Sequence, residues 1–366
     1  MTTRVRILAF HLPQFHPTPE NDEWWGKGFT EWTNVAKAKP LYSDHYQPRI
    51  PADLGFYDLR LPEARHAQAE LAKEYGIEGF CYYHYWFGDG KRILERPVNE
   101  ILASGEPDFP FCLCWANHSW NNIWQGVADR TLIEQTYPGM DDHREHFEWL
   151  LKVFTDPRYI TVDGKPLFLI YSPTDIPDLP NVLAYWRGLA AESGLKGLHF
   201  VGVNYKLRPD WNPHSLGLDA STLQPLPPKD GFVPWRYFAL KIKRLLRIKT
   251  THLTIRDYAE TLESLIRKTP AEFRDYPTVL PNWDNTPRAG ERGLVLHGST
   301  PDLFRQILRK AFSLVEHLDH ENRIVFIKAW NEWAEGNYLE PDQKFGRGYL
   351  EVIRQELSSF SKSRSK

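Results

Sequence analysis

Only three of the 366 residues are cysteine, Cys81, Cys112 and Cys114, and all three fall inside apolar, strand-like runs. An odd number without framework spacing excludes a disulfide scaffold and points to buried free thiols in a reducing compartment. The Cys112-x-Cys114 pair lies within a strand pattern, which argues against a metal knuckle. No stretch approaches the roughly 18 consecutive apolar residues of a membrane span. The opening segment, MTTRVRILAFHLPQFHP, has too short an apolar stretch and no small-residue cleavage site for a secretory leader, so the expected location is cytoplasmic. Charge of one sign is also missing: the formal net charge of −2 supplies no general field for a polyanion, and no nucleic-acid partner is expected. A glycine-rich phosphate loop is absent too, because the near matches to G-x-G-x-x-G that start at Gly26 and Gly346 end in Glu31 and Glu351. No cofactor is expected.

What the chain does have is aromatic surface: fourteen Trp, seventeen Tyr and twenty Phe, many of them beside His and Asn rather than inside aliphatic runs. Trp and Tyr combine a flat apolar face with a polar handle, the combination that suits the C–H faces and hydroxyls of a sugar ring. An aromatic-rich core explains many of them equally well.

Apolar, β-rich runs recur at residues 5–10, 77–85, 109–116, 167–171, 198–205, 216–223, 278–283 and 324–330, the sixth of them weak. Helical periodicity appears between them at 62–75, 142–154, 182–193, 255–268 and 301–318, several opened by Pro or Asp. Eight strands alternating with helices over this length predict an α/β fold, a single (β/α)8 TIM-type barrel spanning 1–355. Two long insertions, about 17–54 and 225–254, decorate it, and 356–366 reads as a polar tail. The first insertion carries WWGKGFTEW and reads as a lid or a wall of the site.

In such a barrel the site is built from the C-terminal ends of the strands. Those ends supply His11, then Tyr83, Tyr85 and Trp86, then Trp115, Asn117 and His118, then Tyr171, Asn204, and Trp283 with Asp284. Strand eight delivers Asn331 and Glu332, with Glu335 and Glu340 following. Arg288 in WDNTPR and Trp25 in the first insertion complete the candidate substrate-binding set. Asp284 and Arg288 suit either sugar recognition or an ion pair that fixes the strand-seven loop. His11, His16, His84 and His118 all lie near strand ends, yet structural or sugar-bonding roles are favoured over a metal, and none is expected.

The segment WNEWAEGNYLEP is the most informative in the chain. A buried strand ending in Glu332 and Glu335 sets two carboxylates at the barrel mouth, where glycoside-cleaving enzymes keep their acid and base. On a continuing strand the two would face opposite sides, so the pair works only if the chain turns near Trp333. E-x-x-E alone is weak, since helices use it on solvated faces.

The stretches LPQFHPTPENDEWWGKGFTEWTNV, QPRIPADLGFYDLR, GFCYYHYWF, WANHSW, WDNTPR and AWNEWAEGNYLEPD together resemble the WbsX-like family over residues 5–350. That family occurs in polysaccharide loci, its members often designated glycosyltransferases, and is related to glycoside hydrolase family 99, the endo-acting α-mannosidases. The resemblance implies a glycoside hydrolase acting on a manno-configured or related surface polysaccharide or its precursor. It further implies retention of configuration through a 1,2-anhydrosugar, with Glu332 as base on the substrate's 2-hydroxyl and Glu335 as general acid and then base. A glycosyltransferase or transglycosidase of surface-polysaccharide (O-antigen type) synthesis is the alternative, and a non-catalytic glycan-binding protein the third reading. The partner expected is an oligo- or polysaccharide, which a cytoplasmic setting would make nucleotide- or lipid-linked. Residues 236–249 place Phe238, Ile242, Leu245 and Leu246 on one helical stripe and five Lys/Arg largely elsewhere. That pattern fits a barrel helix with a basic outer face, or peripheral contact with an anionic membrane.

Overall fold

The computed structural model describes residues 4–121, 131–205, 211–224, 253–266 and 272–364. Its centre is a closed ring of eight parallel strands: β1 (Arg6–His11), β2 (Gly79–His84), β3 (Phe111–Trp115), β4 (Lys165–Ile170), β5 (His199–Asn204), β6 (Ala220–Leu223), β7 (Asp275–Val279) and β8 (Ile324–Ile327). Each pairs with the next, for example Cys81 with Cys112 and Leu113 with Phe168, and β8 returns to β1 through Arg6 and Ile324. The strands read as unbroken apolar runs because both faces are covered, one by the barrel interior and the other by helices. The fold is the expected (β/α)8 barrel.

Among the described residues, the helices of seven residues or more that surround or cap it are α1 (Pro19–Trp25), α2 (Glu31–Lys37), α3 (Pro62–Glu74), α4 (Arg96–Ser104), α5 (Met140–Phe154), α6 (Leu179–Glu192), α7 (Pro301–Val315) and α8 (Gly348–Arg364). Five of these carry Pro in the first turn, where its missing N–H costs nothing. Thr18 and Thr300 cap α1 and α7 by accepting from the backbone N–H of Asn21 and Leu303. The packing between sheet and helices is aromatic. Trp186 of α6 is fully buried among Trp115, His146, Phe168 and Phe200.

The chain departs from the sequence reading in three places. Residues 255–257, expected to open the helix over 255–268, instead belong to a short strand, Thr254–Asp257, parallel to Leu294–His297, because the β-branched Thr254 and Ile255 find a partner outside the barrel, and the helix begins only at Tyr258. Strand seven starts three residues earlier than expected and stops at Val279, before Pro281, which has no N–H to give to a ladder. Residues 356–364 of the supposed polar tail are instead the end of α8: Leu357 is buried, Phe360 packs on Phe312, and Glu356 accepts from Arg305 and Arg309. The basic segment 236–249 and nearly all of the second insertion lie outside the described residues. No helix among the described residues is long and apolar enough to cross a membrane.

Candidate active site

β8 runs straight into a hairpin. Asn331–Glu332 pairs antiparallel with Asn337–Tyr338, and the connection is a 3-10 turn over Trp333–Glu335 closed by Gly336 at φ 58°. This turn breaks the strand alternation, so Glu332 and Glu335 line one cavity. The hairpin is held from below. Asn331 accepts from the Leu12 N–H at 2.7 Å and donates to the Leu12 carbonyl at 3.0 Å, tying β8 to the end of β1. Trp333 stacks on Tyr338 at 3.8 Å.

The cavity measures about 510 Å³ and lies at the C-terminal mouth of the barrel. Tyr83, Tyr85, Ala116, His118, Tyr171 and Tyr205 wall one side, and Leu280, Trp283, Asn285 and Leu294 another. Trp120 and Asn121 face it from the segment after β3. The first insertion closes over it through Trp25 and Phe29, with Glu31 and Asn34 from α2. The wall is thus mainly aromatic and aliphatic around a small set of charges, the composition of small-molecule sites that bind apolar faces and orient them with few polar groups.

Those charges are tightly arranged. Lys328, one residue past β8, donates to Glu332 Oε1 at 3.2 Å and lies 4.0 Å from Glu335 Oε2. Arg288 donates to Glu335 Oε1 at 2.6 Å and lies 3.0 Å from Glu31 Oε2 on its other side. The carboxyl groups of Glu332 and Glu335 are close enough for each to act on the other's proton affinity. Burial alone would raise Glu332, but the Lys328 ammonium, the neighbouring Glu335 carboxyl and Arg288 override it and hold the group down at about 2. Glu335 goes the other way: burial and the neighbouring Glu332 charge outweigh Arg288 and push it up to about 8. Glu31 is raised by burial. Burial by itself would lower Lys328 and Arg288, but the surrounding carboxylates hold both above their ordinary values, and burial takes His118 down to about 4. Lys328 thus pairs with an ionised Glu332, and Arg288 lies between Glu31 and Glu335, the latter keeping its proton at neutral pH. Because Oε1 of Glu335 already accepts from Arg288, that proton sits on Oε2, which has no donor.

The sequence matches the family described as glycosyltransferase WbsX over residues 7–353. The chain is a member of the WbsX family. Protein WxcX of Xanthomonas campestris pv. campestris is 38% identical to it over 358 residues in each of two strains, an alignment that takes in 98% of this chain and 50% of that protein. The WbsX chain thus spans half the length of those relatives. Among solved structures, the GH99 endo-alpha-mannosidase of Bacteroides thetaiotaomicron superposes with a TM-score of 0.60 at 14% identity, covering 99% of both chains. A glycoside hydrolase-like protein gives 0.58 at 16%, covering 97% of this chain and 94% of the other. At such identities the likeness speaks for the fold.

Of the residues expected at the site, the WbsX barrel brings Trp25, Tyr83, Tyr85, His118, Tyr171, Trp283, Arg288, Glu332 and Glu335 to the cavity. The others lie behind it, and strand alternation explains several. Trp86 points outward, donates to Asp142 of α5 and stacks on His146, while its cavity-facing neighbour is Tyr85. Trp115 likewise faces outward, donating to the Trp86 carbonyl. His11 is buried against Phe80 and Tyr82 with Gln68 as partner. Asn117 braces the loop after β3 by bonding both the N–H and the carbonyl of Ser172. Asn204 is buried and does not line the cavity. Asp284 takes hydrogen bonds from His45, Gln47 and Thr286, and so fixes the strand-seven loop rather than facing the cavity or pairing with Arg288. Asn331 and Glu340 support the hairpin from beneath; Glu340 accepts from Trp333, Tyr57 and Gln68.

Sequence reasoning missed Lys328, Glu31 and Gln224 as lining residues. Lys328 left a readable signal, a lone charge in RIVFIKAW. Glu31 left none beyond its place in an aromatic stretch. Among the described residues no cluster of His, Cys, Asp and Glu could hold a metal ion.

Proposed function

We propose that the chain cleaves glycosidic bonds of a manno-configured or related surface polysaccharide or its precursor, with Glu335 as general acid and Glu332 as base. The observation that carries this reading is a pair of buried carboxyls on one aromatic-walled cavity, Glu332 paired with Lys328 at 3.2 Å and Glu335 with Arg288 at 2.6 Å, in surroundings that drive the first down to about 2 and the second up to about 8. Acid–base pairs are made by environments that drive two such values apart. In an α-mannoside the 2-hydroxyl is axial and anti to the departing oxygen. Glu332 takes the 2-hydroxyl proton, O2 closes on C1, the C1–O bond breaks, and Glu335 protonates the leaving oxygen. Water then gives a proton to Glu335 and attacks C1, while O2 recovers its proton from Glu332. Two inversions leave retained configuration.

Transfer to a second sugar is the competing outcome, favoured by the family's description as glycosyltransferases. Against a sugar-nucleotide donor, both cations among the described lining residues are already engaged by carboxylates. Transglycosylation uses the same two carboxyls and needs no phosphate site. The three free, buried cysteines fit a cytoplasmic setting, and a lipid-linked precursor, met through the basic segment 236–249 at a membrane, belongs to the same reading.

The test incubates the parent protein, Glu335→Gln and Glu332→Gln with α-mannosyl and 6-deoxy-manno oligosaccharides, following released sugars and their anomers by NMR. Retention by the parent with a loss on the order of 10²–10⁴-fold in each variant supports the reading. Products joined to an added sugar acceptor select transfer. Binding without turnover in all three proteins would leave a glycan-binding protein.

A further inference from the structure

We propose that Lys328 is a third member of the reacting group: its ammonium fixes Glu332 and presents its remaining N–H to the substrate oxygen that Glu332 deprotonates. The inference rests on the reaction proposed above and adds a residue to it.

A lysine directly after the fully buried run Ile324–Ile327 needs a reason, since taking an ammonium out of water costs several kcal/mol unless it is well partnered. The partnering here is incomplete. An ammonium has three N–H donors. One goes to Glu332 Oε1 at 3.2 Å and one to the Tyr83 hydroxyl at 3.3 Å. Glu335 Oε2, at 4.0 Å, is too far for a hydrogen bond. Nζ lies 5.7 Å from the centre of the Tyr83 ring and 5.8 Å from that of Trp283, two aromatic walls of the cavity. The third N–H is thus left at the cavity, beside both carboxyls. The other titratable groups acting on Lys328 are Tyr171, past the end of β4, and His118 after β3; Arg288 reaches Glu335 from the opposite side.

The chemistry resolves a tension in the site. A carboxylate that pairs so strongly with an ammonium is a weak base for a sugar hydroxyl. As the proton moves from O2 to Glu332, however, negative charge moves from the carboxylate to O2 and then into the new C1–O2 bond. An ammonium within reach of both oxygens exchanges one partner for the other, so the basicity it removes from Glu332 returns as acidity of the hydroxyl. Lys328 keeps all its protons throughout, and the departing oxygen takes its proton from Glu335.

Lys328→Gln and Lys328→Arg are compared with the parent in two measurements. Without ligand, Glu332 is titrated through its side-chain carboxyl carbon by NMR: the glutamine variant is expected to titrate at higher pH than the parent, and the arginine variant to stay near it. With a substrate that the parent cleaves, kcat for Lys328→Gln is expected to fall about 10²–10³-fold with KM changed far less. Methylammonium should restore part of that rate to Lys328→Ala, which a purely structural lysine would not allow. An unmoved Glu332 titration, or Lys328→Gln within twofold of the parent in kcat, overturns the inference. If the parent cleaves nothing, the reaction reading falls on that result, and the carboxyl titration alone still decides whether Lys328 governs Glu332.

Discussion

Arg288 donates to Glu335 across 2.6 Å, although Glu335 is the carboxyl whose ordinary value is raised to about 8. An arginine that close would normally hold a carboxylate ionised. It fails to do so because burial and the neighbouring Glu332 charge together outweigh it, and the same guanidinium also lies 3.0 Å from Glu31, on α2 of the first insertion. The insertion therefore does more than wall the cavity, since it gives Arg288 a second carboxyl partner beside the proposed acid.

Replacing Glu31 by Gln should give Glu335 the full benefit of Arg288 and lower its pKa. Glu335 acts as an acid only while protonated, so kcat/KM of the parent should be level on the acid side and fall as pH rises through about 8. In Glu31→Gln that basic limb should move to lower pH, with a smaller change at the acid end. A pH–rate profile of both proteins measures this directly, and coincident basic limbs would show that Glu31 does not divide Arg288.

Arg288→Gln should be the more damaging change. It leaves two buried carboxyls without their shared cation, and breaking such a cluster from one side costs about 3–5 kcal/mol. Denaturant unfolding should show that loss, and the basic limb of any remaining activity should rise rather than fall.

The pattern of what was legible follows strand geometry. Eight apolar runs separated by helical periods announced the barrel, because parallel strands covered on both faces must be continuously apolar. Strand ends announced the site, but position along a strand does not say which face a side chain takes. Tyr83 and Tyr85 alternate inward while His84 and Trp86 turn out toward α5, where His84 lies 2.9 Å from His146. Asp284, Asn331 and Glu340 read as ligand-binding groups, yet each spends its hydrogen bonds on the loops that hold the carboxyls. Glu31 joined the site through a contact made 257 residues away in sequence, which no local pattern encodes.

Gly336 is the position where the motif tolerates least. Its φ of 58° lies in the left-handed region, and an added Cβ would sit 2.8 Å from Asp284 Cβ and 3.0 Å from the Asp284 nitrogen. That nitrogen donates to the Glu335 carbonyl at 2.6 Å, so relieving the clash displaces the acid itself. Gly336→Ala should lose about 1–2 kcal/mol of stability from the backbone conformation alone. It should also lose activity on the order of 10²-fold from misplacement of Glu335. Thermal melts and kcat on one substrate test both, and an active, stable alanine variant would mean that the hairpin adapts without moving Glu335.

Glu340 offers a test of the support beneath the site that is independent of any substrate. Burial raises its carboxyl to about 7, and the donors Trp333, Gln68 and Tyr57 only partly offset this. A carboxyl raised above its unfolded value of roughly 4.3 favours folding most at low pH, and its contribution is lost as pH climbs from there through about 7, a swing of about 4 kcal/mol. Glu340→Gln removes the titration while keeping an acceptor for Trp333 and Tyr57. The Gln68 amide must then turn over to accept from the new one, which hands its N–H₂ to His11, whose Nε2 now lies 3.2 Å from Gln68 Oε1. His11 has its Nδ1 free of partners and is kept neutral by burial, so it can take the tautomer that accepts. The variant should therefore unfold with a stability that varies less between pH 5 and 8 than the parent's, and should match or exceed the parent at pH 8. Equal pH slopes in the two proteins would show that Glu340 is ionised in the folded state across that range.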